Sequence, residues 1–485
     1  MINKINDTYE DSILRNAELY KKFLYKHLKN NNALTNVHID SLVNKCREEL
    51  RTRSIWLDKY NAEMTKISKK KMNNPLKVCS KIHINYRKEV VDQVVDYILG
   101  TPISLSYENE AIEELLYDFI NYNDINLLNT ETLTDISASS VGYRLLYIDE
   151  YKEFACMNLP ADSVITLDNK NGVAEYGFYF YTELDETGEN EEQVCEFYDE
   201  THYYVYRGMN WTLTECKKHG FNKMPIIMAY NNRERKPDFY HIETLADSID
   251  ELVSTHQDEI QEFRNAYMVV QGAKLSQEVF NKIVETGAFE VPENATVKFL
   301  TKDMDSTAVH LQREVLVKNL YKISKTVDME QFSDSSESGE SRKWKLILLE
   351  NRAKNKIHIM KSFLIQMFNV LASAPKMSRK GLIAEDIMIG FNRSLPIDER
   401  YIGEYLNLYS QFCSLETLLS RVPFVDNPKL EKEKRLEEVK AGLWDVKGVD
   451  DNMLNKPNSP DKSNTSKEVN NIKGVDTTIK ETTKS

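Results

Sequence analysis

Between Glu340 and Ser373 the chain carries just over thirty residues without a proline or glycine, with Leu346, Leu349, Ala353, Ile357, Met360, Leu364, Met367 and Leu371 at helical spacing. At about 1.5 Å per residue such a helix is about 50 Å long, longer than one small core can cover, so it must cross more than one packing region. The rest of the 485-residue chain has to be arranged along it. That length itself predicts several packed regions.

Other segments share the helical period. Leu14, Leu19, Phe23, Leu24 and Leu28 mark one helix, and Leu42, Leu50, Ile55 and Tyr60 a second. Tyr86, Val90, Val91, Val94, Val95 and Ile98 mark a third, stopped by Gly100-Thr101-Pro102, and a helix follows from about Ala111 to Tyr122. A long amphipathic helix is expected from about Tyr240 to Phe263, with Asp238 as its cap, and another from Ser306 to Val327. Between them, 266–303 reads as a small mixed insert with strands at Tyr267–Val270 and Ala295–Leu300 and a helix at Ser276–Val284.

From Gly142 the pattern changes to short aromatic and β-branched runs, Tyr143–Tyr147, Val164–Leu167, Tyr176–Tyr181, Tyr203–Tyr206, Trp211–Thr214 and Ile226–Tyr230, which predict an antiparallel β region. Glu183 to Glu200 holds nine acids and no Lys or Arg and reads most simply as a hairpin loop on the surface. Residues 383–442 read as a strand at Ile387–Phe391 followed by helices. Beyond about Lys447 the Asn-, Lys-, Ser- and Thr-rich sequence predicts a disordered tail.

Composition excludes several functions. Lys and Arg total 63 against 76 Asp and Glu, a net charge of −13, so tight wrapping of nucleic acid is not expected. Six scattered cysteines without a CxxC pair argue against a disulfide scaffold or a four-cysteine zinc site. The N-terminus lacks the apolar core of a signal peptide, and the longest apolar stretch is about half a membrane span. No phosphate loop, dinucleotide fingerprint, HExxH or GxSxG is present. Cys79 and His83 have half-site zinc spacing, but no second ligand pair follows, and a structural Cys with a surface His is preferred. Acid pairs such as Asp199-Glu200 and Asp450-Asp451 read as surface charge. A metal-dependent DNA-processing enzyme, a nuclease acting as a small oligomer, is the alternative from another class.

Gln331-Phe332-Ser333-Asp334-Ser335-Ser336-Glu337-Ser338-Gly339 joins two long helices as a polar loop, and its Ser-Gly-Glu end suits a helix start. Taken with three other segments, it carries a family resemblance. Tyr97-Ile98-Leu99-Gly100-Thr101-Pro102-Ile103, Gly142-Tyr143 through Tyr147-Ile148-Asp149-Glu150, Pro225-Ile226 with Asn231-Asn232-Arg233-Glu234 ahead of Leu245-Ala246-Asp247-Ser248, and Ser338-Gly339-Glu340-Ser341-Arg342-Lys343-Trp344-Lys345-Leu346 occur in the order found in portal proteins of tailed double-stranded DNA bacteriophages. The chain resembles the type common in long-tailed phages of low-GC Gram-positive hosts. Ser341 departs from the family's usual Ala, one small residue for another.

The resemblance implies an α+β, helix-rich portal fold: an antiparallel β region in the wing, long stem helices, a small mixed clip and a helical crown. The regions map in order as wing 1–239, stem helix 240–265, clip 266–303, stem helix 304–327, tunnel loop 328–341, linking helix 342–375, crown 376–446 and tail 447–485. It implies a non-enzymatic ring of about twelve subunits at one capsid vertex of the virion, assembled in the host bacterial cytoplasm. Double-stranded DNA would pass through the channel during packaging and ejection. Terminase large subunit, head–tail adaptor, scaffolding and major capsid proteins would be partners, with no membrane, metal or cofactor. On that reading residues 331–339 face DNA, and Lys274, Lys282, Lys298 and Lys302 are clip charges open to partners. An acidic lumen would repel phosphates and keep DNA mobile.

Overall fold

The computed structural model describes residues 2–71, 78–169, 172–184, 188, 190–263, 267–271, 296–300, 306–329, 339–392, 403, 406–410, 412–419, 422, 425 and 428–440. Two helices, α1 (Ile2–Lys29) and α2 (Asn36–Tyr60), lead into α3 (Tyr86–Leu99), whose cap is Asn85, its side chain accepting from the Lys88 amide. Strand β1 (Ser104–Ser106), α4 (Glu110–Tyr122) and α5 (Ile125–Ser139) follow. The β region contains β2 (Val141–Ile148), β3 (Phe154–Leu159), β4 (Val164–Asp168), β5 (Ala174–Leu184), β6 (Glu191–Tyr198), β7 (His202–Arg207), β8 (Thr212–Lys218) and β9 (Ile226–Tyr230). After a 3-10 turn come α6 (Glu243–Phe263), the strands β10 (Tyr267–Gln271) and β11 (Thr296–Leu300), α7 (Ser306–Ser324), the long helix α8 (Gly339–Ser373), α9 (Pro375–Ser378) and β12 (Met388–Gly390). These lie in one compact unit, Met1–Glu404. The second unit, Tyr405–Ser485, contains α10 (Leu415–Leu419) and α11 (Pro428–Lys440), with Leu418 and Val422 buried.

The expected antiparallel region forms two sheets, β3-β2-β9 and β4-β5-β6-β7-β8. Alternation along the strands sends side chains to opposite faces, so the five-stranded sheet is covered on both. Ile165, Leu167, Phe178, Phe197 and Trp211 pack under Leu24, Ile39, Leu42 and Cys46 of α1 and α2. Val164 and Tyr198 pack on Val141, Tyr143 and Leu145 of the three-stranded sheet. The surface loop expected for the acidic run is corrected: its second half, Glu191–Tyr198, is strand β6, which pairs with β5 and buries Val194, Cys195, Phe197 and Tyr198, with Glu183 beside Glu192 across the strands and Glu183 paired to Arg207 at 2.7 Å.

The third core lies along α8. Leu349, Ala353, Ile357, Met360, Leu364, Met367 and Leu371 are all buried, as their spacing requires, against Val90, Val91, Val94, Val95 and Ile98 of α3 and Leu133 and Ile136 of α5. Helix α5 has no clean apolar period, because it buries polar groups: Asn129, Thr132, Ser137 and Ser139 are inaccessible. Arg144, fully buried on β2, donates to Asn129 Oδ1 at 3.0 Å, Thr132 Oγ1 at 2.8 Å and Asn158 Oδ1 at 3.0 Å. Burial pulls its pKa down to about 10. Gly142 permits the close approach of α5 to β2: a Cβ there would lie 2.8 Å from Ile136 Cγ1 and 3.0 Å from the Thr132 carbonyl. The predicted strand near 387–391 is short, and its Leu105↔Ile389 register places it beside β1.

Candidate functional site

Gln331, Phe332, Ser333, Asp334, Ser335, Ser336, Glu337 and Ser338 lie outside the described residues, while Gly339 opens α8. What the structure shows is how both flanks of this connector are held. Glu89, Gln93 and Tyr97 stand four residues apart on α3 and so share one face. Tyr321 of α7 donates to Glu89. Gln93 makes two bonds to one residue, donating to the Val327 carbonyl at 2.6 Å and accepting from its amide at 2.8 Å. Tyr97 donates to Glu350 Oε2 of α8 at 2.8 Å. One helix therefore clasps the chain on both sides of the connector. Burial and the neighbouring Glu89 carboxylate raise the Tyr321 pKa, keeping the hydroxyl a donor.

A second tie lies behind this clasp. Asp238 Oδ2 is 2.9 Å from both Arg352 Nη2 and Lys356 Nζ of α8. Its Oδ1 accepts from Asn231 Nδ2 at 2.8 Å, and its amide donates to the Ser137 carbonyl at 2.8 Å. Lys356 also donates to Ser137 Oγ at 2.8 Å and to Asn231 Oδ1. Arg352 donates to the Ser324 carbonyl, so α8 also holds the end of α7. Burial opposes ionisation of Asp238, yet Arg352 and Lys356 hold its pKa well below the usual carboxylate range. The capping role expected for Asp238 is therefore corrected: a 3-10 turn, Tyr240–Ile242, intervenes before α6, and the carboxylate is engaged by α8. Asn231 of the quoted Asn-Asn-Arg-Glu segment belongs to this buried network.

The segment 78–85 lies extended along α6. Asp258 Oδ1 accepts from the Ser80 amide at 2.6 Å, Ser254 Oγ from the Ile82 amide at 2.9 Å, and Asp250 Oδ1 from the Ile84 amide at 2.9 Å. Four helical residues rise about 6 Å and two extended residues about 6.6 Å, so the two repeats run in step over three rungs. Lys70 adds an ion pair to Asp258 at 2.7 Å. His83 of the Cys79/His83 pair sits 3.1 Å from Thr65 Oγ1 and 3.8 Å from Asp250, and Cys79 Sγ donates to the Lys70 carbonyl. Among the described residues, no group of three or more His, Cys, Asp or Glu converges as a metal site requires.

Of the four lysines expected to meet partners, Lys298 lies on β11 opposite Val269 of β10, in an antiparallel pair between α6 and α7. Lys274, Lys282 and Lys302 lie outside the described residues. The clasp of Glu89, Gln93 and Tyr97 escapes periodicity reading, because α3 also carries Arg87, Lys88, Asp92 and Asp96 and nothing local marks which polar residues are engaged. No described helix is long and apolar enough to cross a membrane.

This arrangement matches a known family. The family described as "Phage portal protein, SPP1 Gp6-like" matches residues 40–442. The chain belongs to it. The portal protein of Bacillus phage SPP1 is 24% identical over 401 residues, which cover 76% of this chain and 79% of that relative. The α+β architecture, with long helices and antiparallel sheets, agrees with the portal fold that the sequence resemblance implies. The quoted portal-like segments fall at working positions. Gly100 ends α3, Gly142 seats α5, and Gly339 opens the long helix.

Proposed function

We propose that the chain closes into a ring of about twelve copies at one capsid vertex of the virion and conducts double-stranded DNA during packaging and ejection. The ring is non-enzymatic. Its insert at 266–303 docks the terminase large subunit and then the head–tail adaptor, with Lys274, Lys282, Lys298 and Lys302 as contact charges. Scaffolding and major capsid proteins meet it during assembly in the host cytoplasm. The connector 331–339 faces the DNA.

The observation that carries this reading is the clasp: α3 grips Val327 before the connector and Glu350 after it, at 2.6–2.8 Å. A connector fixed at both flanks against a body of packed helices can bear on a moving polymer without transmitting slack to its own base. The net charge of −13 suits a conduit that does not capture phosphates.

Mass and shape test the ring. About twelve copies of a 56.4 kDa chain weigh roughly 680 kDa, with a hole visible in projection. A chain that stays single or paired in every ionic condition would overturn the proposal. For the connector, deletion of 333–337 is expected to leave the ring intact while DNA packaging or retention falls; normal packaging and retention would remove its assigned role.

A further inference from the structure

Where the five-stranded sheet meets β2 and β3, a cleft of about 660 Å³ opens between the two sheets, with Leu145, Tyr147 and Met157 on one wall and Tyr179, Tyr181 and Tyr203 on the other. That volume is typical of a binding site. Tyr147 and Met157, 38% and 37% exposed, leave it open to solvent. Glu196 stands among the tyrosines. It lies opposite Tyr179 in the β5–β6 register, and its two oxygens accept from Tyr181 Oη at 2.8 Å and Tyr198 Oη at 2.5 Å. Burial and the Glu196 charge raise the pKa of both hydroxyls, which therefore stay donors. A carboxylate with one such bond to each oxygen keeps a lone pair on each. The rings form pairs around it, Tyr179 with Tyr181 at 4.8 Å between centroids and Tyr198 stacked on Tyr203 at 6.0 Å.

The charges of this face do not balance. Strand alternation along β5 to β8 puts Glu183, Glu192, Glu196 and Glu215 on it with Arg207 and Lys217. Both cations are engaged elsewhere: Arg207 lies 2.7 Å from Glu183 and 3.8 Å from Glu192, and Lys217 lies 2.6 Å from Glu215. Lys218 alternates to the opposite face, beside His202. The buried His219 donates from Nε2 to the Asp199 carbonyl at 3.2 Å and accepts the Phe221 amide at Nδ1, and burial lowers its pKa, so it is neutral. The β2–β3 wall of the cleft adds no cation. Glu196 is left as the carboxylate of this face without an ion pair among the described residues.

We infer that this cleft takes an arginine side chain presented by a segment of another protein. A guanidinium meets both open lone pairs of a carboxylate at once, and its plane stacks on tyrosine faces. A lysine ammonium has neither the fork nor the plane. The partly exposed Tyr147, Ile148 and Met157 give apolar cover to the residues on either side of the arginine. The inference does not depend on the ring reading above.

The probe is the peptide acetyl-Leu-Arg-Leu amide, titrated against the full chain by ligand-observed NMR. The same peptide with citrulline keeps the shape without the charge and is expected to bind about tenfold more weakly, and the lysine version about threefold. Glu196→Gln, which still accepts from the tyrosine hydroxyls, should lower affinity for the arginine peptide about tenfold, and Glu200→Gln, an exposed acid outside the cleft, should leave it unchanged. Tyr203→Leu removes one stacking face, and about a fivefold loss is expected. Equal binding of the arginine and citrulline peptides, no binding of either, or indifference to both cleft substitutions would overturn the inference. Acetyl-arginine amide binding as tightly as the tripeptide would mark a site for a free cation and overturn the protein partner. Each of these results leaves the ring, read from its mass, untouched.

Discussion

Lys356 Nζ lies 2.9 Å from Asp238 Oδ2 where neither side chain is more than a tenth exposed, so the long helix and the segment entering α6 are joined by a buried ion pair. Arg352 adds a second cation at the same oxygen and distance. Three elements meet there: α8, the 231–238 loop and the end of α5.

Removing one member of such a site strands the others. Asp238→Ala leaves two buried cations without a carboxylate and is expected to cost about 3–5 kcal/mol, read from urea denaturation. Because the folded pKa of Asp238 is depressed, its contribution is complete above the unfolded carboxylate value and is lost only as pH falls through the lower folded value. Across pH 5–8 Asp238 itself adds no slope, but the penalty of Asp238→Ala should shrink as pH rises, because the buried Lys356, whose pKa burial already lowers, has lost its counter-ion and can shed its proton. A penalty that grows with pH in that window would contradict the assignment.

Asp135 behaves oppositely. Burial first, and then the Glu131 and Asp162 charges, raise its pKa to about 7. The folded state therefore holds a proton that the unfolded state has released between about pH 4 and 7, and stability falls as pH rises through that range. Asp135→Asn is expected to stabilise the chain at pH 8, by on the order of 1–3 kcal/mol after allowance for partial exposure, and to change little at pH 4. Equal effects at both values would show that the carboxyl is ionised throughout.

The three rungs on α6 predict a local signature. Ser254→Ala removes the acceptor of the Ile82 amide, a bond of about 1 kcal/mol, so exchange of that amide should quicken about fivefold. Asp258→Ala removes a charged acceptor and the Lys70 pair, and the Ser80 amide should quicken more. Hydrogen exchange followed by mass spectrometry reads both, and unchanged protection of 80–84 would mean that the rungs do not hold the segment.

The clasp on α3 separates the two flanks of the connector. Gln93→Ala is expected to expose the Val327 amide to faster exchange at a cost of about 1–3 kcal/mol, leaving the start of α8 unaffected. Tyr97→Phe should do the reverse, loosening the Glu350 side while Val327 stays protected. If both variants relax both flanks, the two grips act as one cooperative unit.

Much of the fold was legible from period alone. The apolar row of α8 is buried at each position from Leu349 to Leu371, because a helix that long must bury every turn it turns inward. Strand β5 was legible from its aromatics, but β6 was hidden inside the acid-rich run because its acids keep solvent exposure while Val194, Cys195 and Phe197 take the buried positions. Helix α5 was not, since Asn129, Thr132 and Ser137 are buried by virtue of Arg144 and Lys356, partners distant in sequence. The anchors of the connector were hidden for the same reason. Gln93 and Val327 are 234 positions apart, and nothing local to either announces the other.

The sequence by itself determined most of the helices, several of the strands and which family the whole resembles, because those depend on spacings of three to four residues, of two, and on short ordered segments. The tertiary structure alone decided what the polar side chains do. Asp238 could cap a helix or bind cations, and it binds cations because α8 passes within reach. A polar group takes the partner that folding brings to it, and buried without one it would carry the full desolvation cost.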